Sequence, residues 1–526
     1  MLGRLRTTIP PPRRVAPAQP AAVVIPALGF LFLVAQAILS LRWPLVHDGA
    51  FLHFIAFQID RFGAIPYADI HETSLPLVYL FHLAIGRTLG YSDFAFHVVD
   101  VVYLGALLCA TWRMMRPLGA LVAAAAALVF GLLYQSFGPG MTLQRDYLAL
   151  LPLAVAIGLA GVTSQRHRFL AIGALFGVAV SIKPHFGIML PPVWLYALAA
   201  GGAGIARSRP GRHALVEAAL MTGVGLALVV TLPLLWVWRA GAATAFREIM
   251  THYLPLYSQL TGTQRLLAPG ERWRYLLDFT LRLGDRAWLL LPAVPGLALG
   301  LAGGDRPAAQ RRLVALLATL ALMAILYTPL AGKFWPYHWM PFYYFAVCCG
   351  ALVLLPVQAR NSAPRQWLAL ALFVAGLALT LRPAADTARQ LRGLPPAPAA
   401  EGRADVMVDF LEEALQPGDS VQPLDGVTGG GAVALRRLGL PSATPYINDT
   451  QFYHHAGHPV IEALRLDFMA RLAAAPPRFF ISVPDASRPS GPGTTDFAEL
   501  DRFIAARYRV ALDRDGVVIY ERVESE

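Results

Sequence analysis

The sequence predicts an α-helical protein that crosses a membrane many times and ends in a small α/β domain. Charged residues make up 15% of its 526 residues, against about 25% in an ordinary soluble protein, and the mean hydropathy is +0.51. Apolar runs of helix-spanning length, about 20 residues each, recur from Ala21 to Leu381. A soluble enzyme of several domains is therefore not expected.

Eleven apolar segments are expected to span the membrane. The connectors on one side carry the arginines, as in Arg113 with Arg116 and Arg311 with Arg312. Because cytoplasmic loops are rich in Lys and Arg, this alternation places the basic N-terminus, residues 1–21, in the cytoplasm. The expected spans cover about 22–41, 94–113, 118–136, 147–163, 169–182, 186–203, 217–238, 287–303, 313–331, 338–356 and 366–382.

The apolar segment Leu75–Leu89 is the exception to this count. It is interrupted by His82, Gly86 and Arg87. Counting it as a span would move Arg113 and every later basic connector to the outside. We therefore expect a helix that lies in, or dips into, the outer membrane interface.

We expect a multi-pass protein of a bacterial inner (plasma) membrane, and on this topology three parts of the chain face outwards into the periplasm. The transmembrane domain, 22–392, carries a first outer loop at 42–93 and a lid-like outer loop at 239–286. A Pro/Ala linker, 393–402, leads to a soluble α/β domain at 403–526. In that domain VMVDFLEEAL predicts an amphipathic helix, and RFFISV and VVIYERV predict strands.

The net charge of +11 does not indicate a nucleic-acid partner. The arginines are spread over short connectors instead of forming one binding face. The three cysteines, Cys109, Cys348 and Cys349, lie within apolar runs and show no CxxC or His/Cys ligand spacing. We therefore expect neither a disulfide framework nor a zinc site.

Charged groups beside membrane spans are costly, so each is a candidate functional residue. Asp48 follows the first span and begins an expected helix, Gly49–Arg61. It is either an N-cap or a general base at the membrane surface, with His47 beside it to orient it. The first outer loop gathers five candidates: His47, Asp48, Asp69, His71 and Glu72.

A second pair of candidates, Arg145 and Asp146, opens the fourth span on the same face. A carboxylate at a helix start is favoured by the helix dipole, so the pair has an ordinary structural explanation. Its expected depth, close to the first outer loop, also makes both residues candidates for closing the same site.

Lys183 and Lys333 are the only lysines in the chain, and both fall at expected outer ends of spans. An ammonium is a compact charge suited to phosphate. Snorkelling to the interface is the alternative, although arginine would serve that purpose equally well. We expect Lys183 to contact phosphate, with Lys333 second. The neighbouring His185, Tyr337 and His338 are candidate substrate contacts, or members of an aromatic belt.

These motifs, in this order and on this side, resemble the GT-C superfamily of polyprenyl-linked glycosyltransferases. Relatives of that kind include the lipid A aminoarabinose transferase and the protein O-mannosyltransferases. The likeness covers most of the chain. It rests on Asp48 after the first span and on the segments GAIPYADIHETSLPL, QRDYLALLPLAVA, SIKPHF and KFWPYHWMP.

The resemblance implies an inverting transfer of sugar from a polyprenyl-phosphate donor to a glycan, lipid or protein acceptor, with membrane lipid as a further partner. Asp48 would be the base, and Lys183 would bind the phosphate with Arg145 or Lys333 as helpers. The single proline of Ser74-Leu75-Pro76 departs from the family's commonest pattern. The acceptor is therefore left open, as is a divalent metal; no cofactor is certain.

Two other classes of protein remain as alternatives. A transporter or lipid flippase would place its charged residues near the midplane and often shows repeated halves, whereas here they gather at one face. A polysaccharide polymerase or ligase also uses lipid-linked sugars but relies on arginines. Sugar transfer from a polyprenyl-phosphate donor by the purified protein would discriminate among them.

Overall fold

The structure, a computed structural model, describes residues 21–162, 167–201, 212–302, 306–355, 402–483 and 488–523. The expected eleventh span, 366–382, lies outside these ranges. So do most of the N-terminal segment and most of the linker.

Helices occupy each expected span within the described residues. Four segments are long and apolar enough to cross a membrane, namely Asp93–Leu118, Arg212–Arg239, Ala308–Ala331 and Pro336–Leu354. The others are shorter or begin with a 3-10 turn, so the count of eleven is not confirmed. The helices are α1 (Ala21–Ser40), α2 (His47–Phe62), α3 (Pro76–Leu89), α4 (Asp93–Met115), α5 (Ala120–Gln135), α6 (Arg145–Leu148), α7 (Leu150–Ala160), α8 (His167–Ile182), α9 (Leu190–Gly201), α10 (Arg212–Arg239), α11 (Ala243–Glu248), α12 (Leu254–Tyr257), α13 (Glu271–Arg282), α14 (Leu290–Ala302), α15 (Ala308–Ala331) and α16 (Met340–Gly350).

The segment expected at the interface forms α3. Its 14 residues extend about 21 Å, less than the roughly 30 Å of a bilayer's hydrocarbon core. Tyr79, His82 and Leu83 are buried, and the helix packs against α2, α4 and α8. Its length therefore agrees with a helix that does not cross the membrane alone.

The C-terminal part contains four strands, β1 (Val421–Leu424), β2 (Phe479–Ser482), β3 (Tyr508–Arg514) and β4 (Val517–Arg522). They form one sheet in the order β1-β2-β4-β3, with β1 parallel to β2 and the other pairs antiparallel. The predicted helix and both predicted strands are confirmed. β1 was not predicted, because Pro423 interrupts a short segment; as an edge strand it tolerates proline. The helices of this part are Arg403–Ala414, Gly431–Leu438, Pro459–Ala474 and Ala498–Arg507.

An ion-pair network joins the C-terminal part to the start of α4. The buried Arg436 pairs with Asp93, and Arg437 bridges Asp93 and Asp405. The second oxygen of Asp93 accepts a hydrogen bond from the backbone N–H of Leu45 at 3.3 Å. Asp93 thus ties the C-terminal part to the loop that leads into α2.

Candidate active site

A cavity of about 1210 Å³ lies where the first outer loop, the lid-like loop and the C-terminal part meet. It adjoins the ends of several spans, as a site for a membrane-borne substrate must. Ten of the twelve predicted site residues line it: His47, Asp48, His71, Glu72, Arg145, Lys183, His185, Lys333, Tyr337 and His338.

Asp48 is held by an ion pair and does not cap a helix. Its Oδ2 accepts a hydrogen bond from Nη2 of Arg145 at 3.0 Å. Helix α2 begins one residue earlier, at His47, and its N-cap is Val46, without a side-chain cap. The capping interpretation is therefore wrong. The carboxylate is positioned at the cavity wall by a guanidinium 97 residues away.

Several residues at or beside the site, among them Gln264 (φ 56°), which lines the cavity, have left-handed backbone conformations that are uncommon for residues other than glycine. Three more lie next to, or two residues from, a residue of the site. They are His47 (φ 54°), next to Asp48; Leu143 (φ 48°), two residues before Arg145; and Phe334 (φ 54°), next to Lys333. Each such conformation costs about 1–3 kcal/mol and persists only where surrounding structure enforces it. Their grouping around one cavity supports a functional role for that cavity.

A chain of hydrogen bonds continues from Asp48 to a second carboxyl group. Nη1 of Arg145 donates to Oγ of Ser74 at 3.0 Å, and the hydroxyl and N–H of Ser74 donate to Oε1 of Glu72 at 2.9 and 3.1 Å. Burial raises the pKa of Glu72, while the charge of Arg145 opposes the rise. Ser74 was missed as a site residue; its sequence signal was its place between Glu72 and the proline.

Lys183 is fully engaged with a carboxylate. Its Nζ lies 2.9 and 2.8 Å from the two oxygens of Asp146, which is completely buried and also accepts a hydrogen bond from the hydroxyl of Tyr327. Burial lowers the pKa of Lys183 to about 8 against the opposing charge of Asp146. Lys183 therefore already has an anionic partner, whereas a lysine predicted to bind phosphate is expected to lack one. Asp146 does not line the cavity itself; it contacts Lys183, which does.

Lys333, and not Lys183, has the environment expected of a phosphate-binding lysine, because it is buried without forming an ion pair among the described residues. It is 5% exposed, its Nζ donates to the carbonyl oxygen of Tyr257 at 3.0 Å, and it lies 3.9 Å from the centre of the Tyr257 ring. None of the ion pairs within the described ranges involves Lys333. Burial, with a smaller contribution from the charge of Arg272, lowers the pKa of Lys333 to about 7.

The cavity wall contains further residues that sequence reasoning missed. Arg286 pairs with Asp285 at 2.9 Å and lies 5.0 Å from the centre of the Phe137 ring; the signal was a Gly-Asp-Arg run in the lid-like loop. The C-terminal part adds an uncharged polar wall of Thr428, Asn448, Thr450 and Gln451. These side chains offer hydroxyl and amide groups, which suit neutral hydrogen-bonding ligands.

Of the two remaining residues of the first outer loop, Asp69 lies away from the cavity, whereas His71 lines it from between two aromatic rings. Asp69 does not line the cavity; its Oδ2 accepts a hydrogen bond from the N–H of Ile65 at 2.8 Å and closes an exposed turn. The ring of His71 lies between those of Tyr253 and Tyr446, at 4.9 and 5.6 Å. Burial lowers the pKa of His71 to about 4, so its ring is neutral at pH 7.

The residues around Asp48 do not fit a divalent metal. Within the described ranges, no three His, Cys, Asp or Glu side chains stand close enough together to hold one. The position beside Asp48, where a second carboxylate would be needed, is taken by the guanidinium of Arg145.

The chain combines a bundle of apolar helices with a cavity formed at the helix ends beneath the connecting loops, and this architecture is shared with solved membrane proteins. The crystal structure of ArnT from Cupriavidus metallidurans bound to undecaprenyl phosphate has this fold, with a TM-score of 0.58 and 14% identity over 97% of this chain and 99% of that chain. Its apo structure gives a TM-score of 0.56 and 12% identity over 96% and 98%. These matches confirm the resemblance to the GT-C superfamily at the level of the fold.

An Archaeoglobus fulgidus oligosaccharyltransferase tethered with an acceptor peptide matches less well. Its TM-score is 0.44, with 13% identity over 86% of this chain and 69% of that one. No protein-family model and no curated protein sequence matches the chain.

Proposed function

We propose that this chain is a membrane glycosyltransferase that moves a sugar from a polyprenyl-phosphate donor to an acceptor outside the cytoplasm. One observation carries the proposal: a cavity at the ends of the membrane helices holds an ion-paired carboxylate, Asp48, and a buried cation, Lys333, that has no carboxylate partner among the residues that the structure describes. The shared fold with ArnT, which was solved with undecaprenyl phosphate, supports this class of donor.

The donor side is assigned to Lys333. A buried ammonium that meets only a carbonyl oxygen and aromatic rings gains most from an anion, because a buried charge is costly unless it is paired. The phosphate of a lipid carrier supplies that anion at the depth where the spans end. Arg286 and Lys183 line the same cavity, but each already has a carboxylate partner.

The chemistry proposed is a single displacement. Asp48, oriented by its ion pair with Arg145, accepts the proton of an acceptor hydroxyl. The hydroxyl oxygen bonds to the anomeric carbon while the bond from that carbon to the phosphate oxygen breaks, so the anomeric configuration inverts. The bonding electrons leave with the phosphate, and Lys333 stabilises the charge that develops there.

The acceptor side is assigned to the wall that the C-terminal part contributes. Thr428, Asn448 and Gln451 present uncharged donors and acceptors to the cavity that Glu72 also lines, which suits a hydroxyl-bearing glycolipid, surface polysaccharide or protein. We place the site on the periplasmic face of a bacterial inner membrane. The arginine-rich connectors favour the cytoplasmic side for themselves and for the N-terminus, and the site is assigned to the other side.

The experiment measures sugar transfer and hydrolysis by the protein in lipid nanodiscs, with a panel of polyprenyl-phosphate-linked radiolabelled sugars. Asp48→Asn should lower turnover at least about 100-fold, because a general base contributes about 10²–10⁴-fold, while thermal unfolding stays near that of the wild type. Asp69→Asn is the matched control and should retain near-normal turnover.

Two results would contradict this assignment. Turnover by Asp48→Asn above about a tenth of the wild-type rate would move the base to Glu72, the other carboxyl group of the first outer loop that lines the cavity. Failure to consume any polyprenyl-linked sugar, combined with measurable lipid movement across the bilayer, would favour the flippase alternative.

A further inference from the structure

Helix α13, Glu271–Arg282, has an exposed apolar stripe. Trp273, Leu277 and Leu281 follow each other at intervals of four residues and are 68%, 41% and 70% exposed. This spacing places all three on one face of the helix. Such a stripe on an outer loop calls for an apolar partner, since exposed apolar surface is normally covered when it is contiguous.

The opposite face of α13 packs on the connector that carries Lys333. The rings of Tyr275 and Phe279 lie 5.4 and 5.5 Å from that of Phe334. Arg272 donates to the carbonyl oxygens of Ser258 and Gln259 at 3.0 and 3.1 Å. The helix therefore contacts two segments of the cavity wall, the connector that carries Lys333 and the turn at Ser258 and Gln259. Its apolar stripe lies on the face that makes neither of these contacts.

The position of that connector locates α13 relative to the membrane. Lys333 and Phe334 lie between two segments that are apolar enough to cross it, Ala308–Ala331 and Pro336–Leu354. A connector between consecutive spans lies at a membrane surface. Leu326 and Leu330, near the end of α15, are 45% and 56% exposed and belong to the lipid-facing surface beside α13, which packs against α15.

The shape of α13 excludes a span of its own. Its 12 residues extend about 18 Å, well short of the roughly 30 Å of hydrocarbon. Gly270 before it and Leu283 after it both have left-handed conformations, with φ of 87° and 54°. The chain thus turns sharply at both ends, so α13 does not continue into the helix that follows it in sequence.

We propose that α13 lies in the membrane surface on the cavity side, with Trp273, Leu277 and Leu281 inserted among lipid chains. Trp is the side chain best suited to that boundary. The exposed charges beside the stripe, Arg274, Arg282, Glu271 and Asp278, sum to zero, so the partner is a bilayer held by apolar contact, without selection for anionic lipid. A second protein copy is the alternative occupant that the experiment must exclude.

The consequence for catalysis rests on the proposed function. Because α13 holds the Lys333 connector and the Ser258–Gln259 turn together, its contact with the bilayer fixes the height of Lys333 above the lipid. A polyprenyl phosphate presents its head group at that same height.

The test places a spin label at Leu277→Cys or at Asp278→Cys, in a Cys109→Ser background that removes the exposed thiol. Both proteins are studied in phosphatidylcholine nanodiscs that hold one copy each. The label at 277 should be relaxed mainly by oxygen, which partitions into lipid, and the label at 278 mainly by a water-soluble nickel chelate. Equal relaxation of the two labels by the nickel chelate would overturn the proposal, as would a 277 label shielded from both reagents.

A second measurement concerns Lys333. Trp273→Glu should weaken binding of undecaprenyl phosphate at least fivefold in nanodiscs and leave it unchanged in detergent, whereas Arg274→Gln should change neither. If Trp273→Glu weakened undecaprenyl phosphate binding equally in nanodiscs and in detergent, α13 would affect binding independently of the bilayer, and the proposed link between lipid contact and Lys333 would be wrong. If the wild-type protein binds no undecaprenyl phosphate in either medium, the proposed function fails, while the spin labels still decide the lipid contact.

Discussion

Removal of the Lys333 charge is the sharpest test of the donor site. Lys333→Met keeps an unbranched side chain beside the rings of Tyr257 and Trp335, over which the ammonium lies, and it removes the charge. The substitution removes one hydrogen bond, to the carbonyl oxygen of Tyr257, and the contacts of the ammonium with the rings of Tyr257 and Trp335. It also removes the cost of burying a charge that has no carboxylate partner within the described ranges. Because these effects oppose each other, the variant should fold and unfold nearly as the wild type does.

The effect on donor binding should be much larger. A hydrogen bond to a charged group contributes about 1.5–3 kcal/mol, and about 1.4 kcal/mol corresponds to a tenfold change in affinity. No carboxylate partner within the described ranges competes with the phosphate for Lys333, so most of this interaction should appear as binding. Lys333→Met should therefore bind undecaprenyl phosphate about 10- to 150-fold more weakly.

The assay is native mass spectrometry or equilibrium binding of undecaprenyl phosphate to the protein in nanodiscs, with thermal unfolding measured on the same samples. Lys333→Arg retains the charge and is the matched control; it should recover most of the affinity. Binding by Lys333→Met within threefold of the wild type, with normal unfolding, would refute the assignment of Lys333 to the phosphate.

Two further predictions concern the two lysines. Because the pKa of Lys333 is lowered to about 7 by burial, its charge is present below that pH and lost above it, so affinity for a singly charged polyprenyl-phosphate sugar should fall as the pH rises from 6 to 8.5. In Lys333→Arg, which keeps its charge, the affinity should change little over this range. If the wild type and Lys333→Arg lose affinity in parallel, the effect belongs to another group, such as Lys183. Lys183→Met should instead lower the free energy of unfolding by about 3–5 kcal/mol, because it leaves the buried Asp146 unpaired. Chemical unfolding should show this loss, and the double variant with Asp146→Asn should recover part of it. An unchanged unfolding midpoint in Lys183→Met would contradict the prediction.

Local sequence patterns predicted the helices and two of the four strands, because those elements depend on apolar runs and alternation. The same patterns located the lysines at the ends of spans. They could not show which lysine meets a carboxylate. Lys183 forms its ion pair with Asp146, which is 37 residues away in sequence, and the hydroxyl of Tyr327, 181 residues from Asp146, donates a hydrogen bond to the same carboxylate. Such pairings depend on how the spans pack together.

The role of Asp48 shows the same limit at shorter range. An aspartate before an amphipathic run predicts an N-cap, and a cap requires the helix to begin after it. The helix begins instead at His47, whose left-handed backbone turns Asp48 into the first helical turn. The carboxylate can then reach Arg145. Nothing in the local sequence specifies that one-residue difference, since it is enforced by contacts from other elements.

The pairing of charges around the cavity also bears on what it can accept. Each of three cations has its own carboxylate, in the pairs Arg145–Asp48, Lys183–Asp146 and Arg286–Asp285. Burial raises the pKa of Glu72, and among the cavity-lining cations that the structure describes Lys333 is the one without a carboxylate partner. A sugar joined to a lipid through a single phosphodiester brings one negative charge and balances it. A nucleotide sugar, with two charged phosphates, would leave a buried negative charge unpaired at considerable cost. The electrostatics therefore favour a lipid monophosphate donor over a pyrophosphate-linked one.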